Sequence, residues 1–179
     1  TIDATSGLNG SVTPAGSTSV NFDGSQVYAI TPATGYHVSD VLVDNVSVGA
    51  VAGYTFSNVA ANHTISATFA VDQFTVTASA GANGSVSPAG VTTVNYDGSQ
   101  AYTITPATGY HVADVLVDNA SVGAVTGYTF SNVIANHTIS ATFAIDQFTI
   151  TASTGANGSV TPAGVSSVNY GGSQAYMIT

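Results

Sequence analysis

The chain has 179 residues, 44% of them hydrophobic but only 5% charged, where about 25% is usual for a soluble domain. All nine charged side chains are aspartates, and lysine, arginine and cysteine are absent. A chain without cations cannot neutralise phosphates, which argues against nucleic-acid binding and against attraction to anionic headgroups; without cysteine or lysine, neither disulfides nor Lys–Asn isopeptide bonds can staple it.

The apolar content is too high for a disordered chain, and no run of about 18 apolar residues marks a membrane span. A surface so poor in charge has to be built from Thr, Ser, Asn, Gly and Ala. Cations are the charged partners left, and Ca²⁺, with its preference for oxygen ligands, is the first of them.

A repeat organises the sequence. The tetrapeptide NGSV occurs at Asn9–Val12, Asn83–Val86 and Asn157–Val160, a constant step of 74 residues. Residues 1–74 and 75–148 are identical at 58 of 74 positions, and 149–179 match the start of the second copy at 24 of 31. The expected organisation is therefore two full β units, 1–74 and 75–148, and the opening part of a third, 149–179. The pattern runs into both ends, as in an excerpt of a longer array.

In chain order within the second copy, FTVTASA (74–80) alternates apolar and hydroxyl residues, and SQAYTITPA (99–107) does so again. YHVADVLVDN (110–119) then leads through an Asp-Asn step, a hairpin-turn signal, into ASVGAV. GYTFSNV (127–133) and HTISATFAI (137–145) follow, with Gly, Asn, Pro and Asp punctuating the gaps. About six short strands per copy predict an all-β fold, tandem small antiparallel sandwiches or partly open barrels. ATFAVDQFTVTAS (67–79) leaves no Gly/Pro linker between copies. Units joined so tightly are expected to form a semi-rigid rod, each adding roughly 30–40 Å, or to complete one another's sheets by strand exchange.

NGSVSPAG, YDGSQAYTITPATGYHV and YTFSNVIANHTISATF together resemble the divergent internalin-type B-repeat, or bacterial repeat domain, family, over the whole 74-residue unit. The wider family has a tryptophan after the GY segment where Val41 and Val115 stand here, and a hairpin glycine where Asn45 and Asn119 stand. The resemblance implies tandem repeats of secreted or surface-anchored proteins, with surface display, adhesion or a spacer role. It supplies no catalytic residues.

The most chemistry-like cluster is His111, Asp114 and Asp118. Strand alternation predicts His111, Ala113, Val115 and Val117 on one face and Val112, Asp114, Leu116 and Asp118 on the other. The two aspartates would stand roughly 13 Å apart, too far to share an ion. Asp118 is expected to start a turn and Asp114 to be a polar strand-edge residue. His63 and His137 open the last strand of their copies, where a hydrogen-bonded histidine is expected; two histidines per copy fall short of a zinc site.

Asp72 and Asp146 lie at the junctions, and with Asp23 and Asp97 of the FDGS/YDGS turns they are the candidate Ca²⁺ ligands, although no DxDxDG-like loop exists. Asn9, Asn45, Asn62, Asn83, Asn119, Asn136 and Asn157 stand in N-x-S/T glycosylation sequons. The tyrosines and phenylalanines recur at positions expected of core.

The expected function is a non-enzymatic, extracellular or cell-surface structural segment: stalk, adhesin or filament, needing no cofactor. Its expected partners are neighbouring repeats and copies of itself, since low charge lets identical chains pack side by side. The competing reading is a module binding surface glycans or ice through a repeated Thr/Ser-rich face, with avidity from the tandem copies.

Overall fold

A computed structural model describes all residues, 1–179, and is built of strands joined by turns. The first copy has eight: β1 Ile2–Ser6, β2 Gly10–Thr13, β3 Gly16–Thr18, β4 Gly24–Pro32, β5 Tyr36–Val43, β6 Val46–Gly49, β7 Gly53–Val59 and β8 His63–Val71. They form two sheets, ordered β3-β1-β8-β5-β6 and β2-β4-β7. One core joins the sheets: Ile2 and Ala4, Val41 and Val43, Ile65 and Ala67 come from the larger, Val12, Tyr28, Ile30, Phe56 and Val59 from the smaller. The burial pattern alternates along β1 and the second half of β4, as a sheet with one wet face requires.

The all-β architecture agrees with the sequence-based expectation, but the larger sheet is mixed rather than antiparallel. β1 and β8, the first and last strands of the copy, lie side by side and run parallel, Ile2 opposite His63 and Ser6 opposite Ala67. A parallel pair needs a long crossover, and the six intervening strands supply it. One consequence is local geometry: β8 ends at the far end of the copy from where β1 begins.

Alternation also fails in the predicted strand that becomes β5. In β5 the register against β8 slips between Val38 and Asp40. This is a β-bulge, which adds one residue to a strand and reverses the faces beyond it. The β5–β6 hairpin itself follows the sequence signal. Asp44 and Asn45 have φ of 50° and 64°, the pair of left-handed residues that a two-residue turn of type I′ needs, with Val43 opposite Val46.

The second copy repeats these elements as β9 Gln73–Ala80, β10 Gly84–Ser87, β11 Gly90–Asn95, β12 Gly98–Pro106, β13 Tyr110–Val117, β14 Ala120–Gly123, β15 Gly127–Val133 and β16 His137–Ile145. Its sheets have the same orders, β11-β9-β16-β13-β14 and β10-β12-β15, and β9 is again parallel to β16. The remaining residues give β17 Gln147–Ala152, β18 Val160–Thr161, β19 Gly164–Asn169 and β20 Met177–Ile178. Two compact units result: Thr1–Phe74 with Val94–Gly98 and Asn132–Ile134, and Thr75–Thr93 with Ser99–Ser131 and Ala135–Thr179. The first unit thus takes in the turn that carries Tyr96.

Candidate functional site

The NGSV motif has a packing explanation. Asn9 holds φ 69° in the turn, and Gly10 lies under the Phe69 ring, where a Cβ would stand 2.3 Å from Cζ. Only glycine fits. Gly84 and Phe143 repeat the arrangement in the second copy.

Each of the four histidines is paired with an aspartate. His63 Nδ1 lies 2.8 Å from Asp44 Oδ2, while the Thr64 N–H donates to Asp44 Oδ1 at 2.8 Å. One carboxylate thereby ties the β5–β6 turn to the start of β8. Asp118, His137 and Thr138 repeat it at 2.7 and 2.8 Å. The hydrogen bond from the histidine, reinforced by the backbone N–H, holds the carboxyls of Asp44 and Asp118 below the ordinary aspartate value of 3.8.

The other two histidines reach the junctions. His37 Nδ1 is 2.8 Å from Asp72 Oδ1, and His111 Nδ1 is 2.8 Å from Asp146 Oδ1. The proposed cluster of His111, Asp114 and Asp118 therefore does not converge, though for a different reason from the one expected. The bulge skips Ala113, so His111 and Asp114 face Ala144 and Thr142, alternate residues of β16, and share the outer face. Val112 and Val115, three apart, are both buried. Asp114 then accepts from the Val115 N–H at 2.9 Å and from Ser121 Oγ at 2.6 Å, and Asp118 sits in the turn at φ 49°.

At the first junction, inside the first compact unit, Asp72 is held from three sides. Its N–H donates to Gly35 O at 2.8 Å, its carbonyl accepts from the Tyr96 N–H at 2.8 Å, and its carboxylate meets His37. Gln73 Nε2 donates to Asn95 Oδ1 at 3.0 Å. The Tyr96 ring covers Gly35, where an added Cβ would stand 2.2 Å from Cδ1, and Gly35 itself has φ +78°. Phe74 flanks the ring, centroids 6.5 Å apart. The second compact unit contains the same set: Asp146 bonds Gly109 and Tyr170, Gln147 bonds Asn169, and Tyr170 covers Gly109. Tyr96 and Tyr170 thus correct the expectation that the tyrosines belong to the core. They sit at the ends of turns and cap a glycine. The signal in the sequence was an aromatic kept in the NFDG, NYDG and NYGG turns, where polar residues are the rule.

Three of the four candidate calcium ligands already have other side-chain partners. Asp72 and Asp146 serve histidines, and Asp97 Oδ1 accepts from Asn132 Nδ2 at 2.7 Å. Asp23 and Asp97 take φ of 62° and 59° in their turns. Nowhere do three His, Cys, Asp or Glu side chains gather as a metal set. The sequon asparagines have backbone roles. Asn9, Asn45, Asn83, Asn119 and Asn157 are left-handed turn residues. Asn62 accepts from the Thr1 amine, and Asn136 from the equivalent Thr75 N–H, each at 2.8 Å.

Two tandem matches to the model of the divergent InlB B-repeat domain cover residues 1–73 and 74–147, and the chain belongs to that family. No curated protein and no solved structure matches it.

Proposed function

We propose that the chain is a non-enzymatic structural segment of a large extracellular repeat protein, serving as a stalk, adhesin or filament. The junction carries this reading. Each copy passes to the next through a single residue, Asp72 or Asp146, whose N–H, carbonyl and carboxylate are all bonded. Fixing every polar group of a connecting residue costs conformational entropy, an ordering that a flexible tether would not need and a stiff array would. The parallel pairing of first and last strands supports it too, because each copy then receives the chain at one end and releases it at the other.

The absence of lysine and arginine fits life outside the cell, since it denies trypsin-like proteases their sites. The sparse charge leaves wide neutral surface for lateral association of identical chains, which the net charge of −9 opposes. Static light scattering at increasing concentration tests the filament version. Growth in mass supports it, and a strictly monomeric solution at high concentration removes it, leaving a single-chain stalk.

A further inference from the structure

The ring that caps a glycine at both junctions has a third counterpart, and it caps nothing. Phe22 occupies in the first copy the position of Tyr96 and Tyr170. Tyr96 is half-buried on Gly35 and Tyr170 is 48% exposed on Gly109, whereas Phe22 is 84% exposed. A ring so exposed is costly in water; several aliphatic side chains are exposed as well, Leu8 to 88%, but Phe22 is the most exposed aromatic ring.

The turn beneath Phe22 is nevertheless built like the occupied ones. The Asp23 N–H donates to Val59 O at 3.0 Å, as the Asp97 N–H donates to Val133 O at 2.9 Å. The Gly24 N–H donates to Asn21 O at 2.9 Å, as Gly172 does to Asn169 O at 2.8 Å. Asp23 and Asp97 share the left-handed conformation. The presenting turn is therefore formed before anything docks, which lowers the entropy cost of docking. Beside Phe22 lies a shallow hollow whose other lining residues are Thr1, Val20, Val59, Ala60, Ala61 and Asn62, with no charged side chain among them. Its side chains suit the uncharged side chains of this chain.

We propose that Phe22 is the docking ring of a head-to-tail contact, and that its occupant is another repeat of this kind presenting a Gly35-type seat. The seat is defined by what Tyr96 and Tyr170 already cover: a left-handed glycine before the YHV strand, next to the junction aspartate. Both seats in the chain are filled, so Phe22 takes the seat of a further copy placed ahead of Thr1. The inference rests on the array reading above. If docking fails while Tyr96 and Tyr170 remain seated, the array stands and only its extension through Phe22 is lost.

The chain contains no tryptophan, so one introduced indole reports alone. Phe22→Trp and Tyr96→Trp are made separately in the 179-residue chain and read by emission maximum and acrylamide quenching. Position 96 should be several-fold better protected than position 22, and Gly35→Ala should abolish that protection. Equal quenching at the two positions overturns the ring-and-seat pairing outright, with no added copy needed. Next, residues 75–148 are fused directly ahead of Thr1 in the Phe22→Trp chain, and circular dichroism establishes that the added copy folds. Blue-shifted, protected emission that reverts when the added copy carries the equivalent of Gly109→Ala supports the proposal. Emission that stays exposed overturns it, and so does protection indifferent to the glycine.

Discussion

His63 Nδ1 and Asp44 Oδ2 stand 2.8 Å apart across the start of β8 and the β5–β6 turn, and the second copy places His137 and Asp118 at 2.7 Å in the same way. In a chain without lysine or arginine, histidine and the terminal amine are the only cations that can answer nine carboxylates. The pairs tie the hairpin that carries the edge strand β6 to β8.

Their pH dependence follows from the aspartates. Asp44 and Asp118 are held below 3.8 in the folded state by the histidine and the backbone N–H. Their contribution is fully present above the unfolded aspartate value and is lost as pH falls through the lower folded one. Asp118→Asn keeps a residue tolerant of the left-handed turn but removes the charge. The carboxylate is about half exposed, so the cost at pH 7 is about 0.5–1 kcal/mol. Thermal melts should show a lowered Tm at pH 7 that converges on the parent's as the solution is acidified below the aspartate range. A difference that persists unchanged at acid pH would show that the carboxylate's ionisation is not what matters.

Legibility tracked sequence separation. The Asp-Asn turn was readable because both left-handed residues are adjacent and need no partner. The bulge at Ala113 was not, since it is set by what β13 faces: Val112 meets Phe143 and Asp114 meets Thr142, leaving no extra residue on β16 to announce the slip. The parallel pairing of Ile2 with His63 and the seating of Tyr96 on Gly35 each join residues 61 apart. Neither has a local signal. The histidine partners were missed for the same reason: alternation within a strand can exclude a pairing but cannot find Asp146 for His111. The sequons were legible as motifs, but the backbone work of their asparagines was not: five hold left-handed turns and two accept through the amide oxygen.

The glycine seat makes a prediction separable from glycine's conformational freedom. Gly35 and Gly16 both lie in the left-handed region, at φ +78° and +75°, but only Gly35 has a ring over it; nothing lies within 4 Å of a Cβ on Gly16. Gly16→Ala therefore carries the backbone cost alone, about 1 kcal/mol. Gly35→Ala adds displacement of Tyr96, for a total of about 2–4 kcal/mol. Urea titration should rank the two variants well apart. Equal midpoints would mean that Tyr96 moves aside freely and seats nothing.

The last prediction separates turn chemistry from glycosylation at Asn119. With φ 66° this residue occupies the second left-handed position of the β13–β14 turn, where glycine pays no Cβ penalty and asparagine pays little. Asn119→Gly abolishes the sequon yet should leave stability unchanged or raise it by up to about 0.5 kcal/mol, whereas Asn119→Ala abolishes the same sequon and should cost about 1 kcal/mol. Unglycosylated protein, produced in a host that attaches no sugar, makes the comparison clean. The two variants should bracket the parent in thermal melts. If both fall below it by the same amount, the asparagine side chain contributes something other than its tolerance of left-handed backbone. The Asn136 pattern, an amide oxygen accepting from the Thr75 N–H of a neighbouring strand, would then be the model for it.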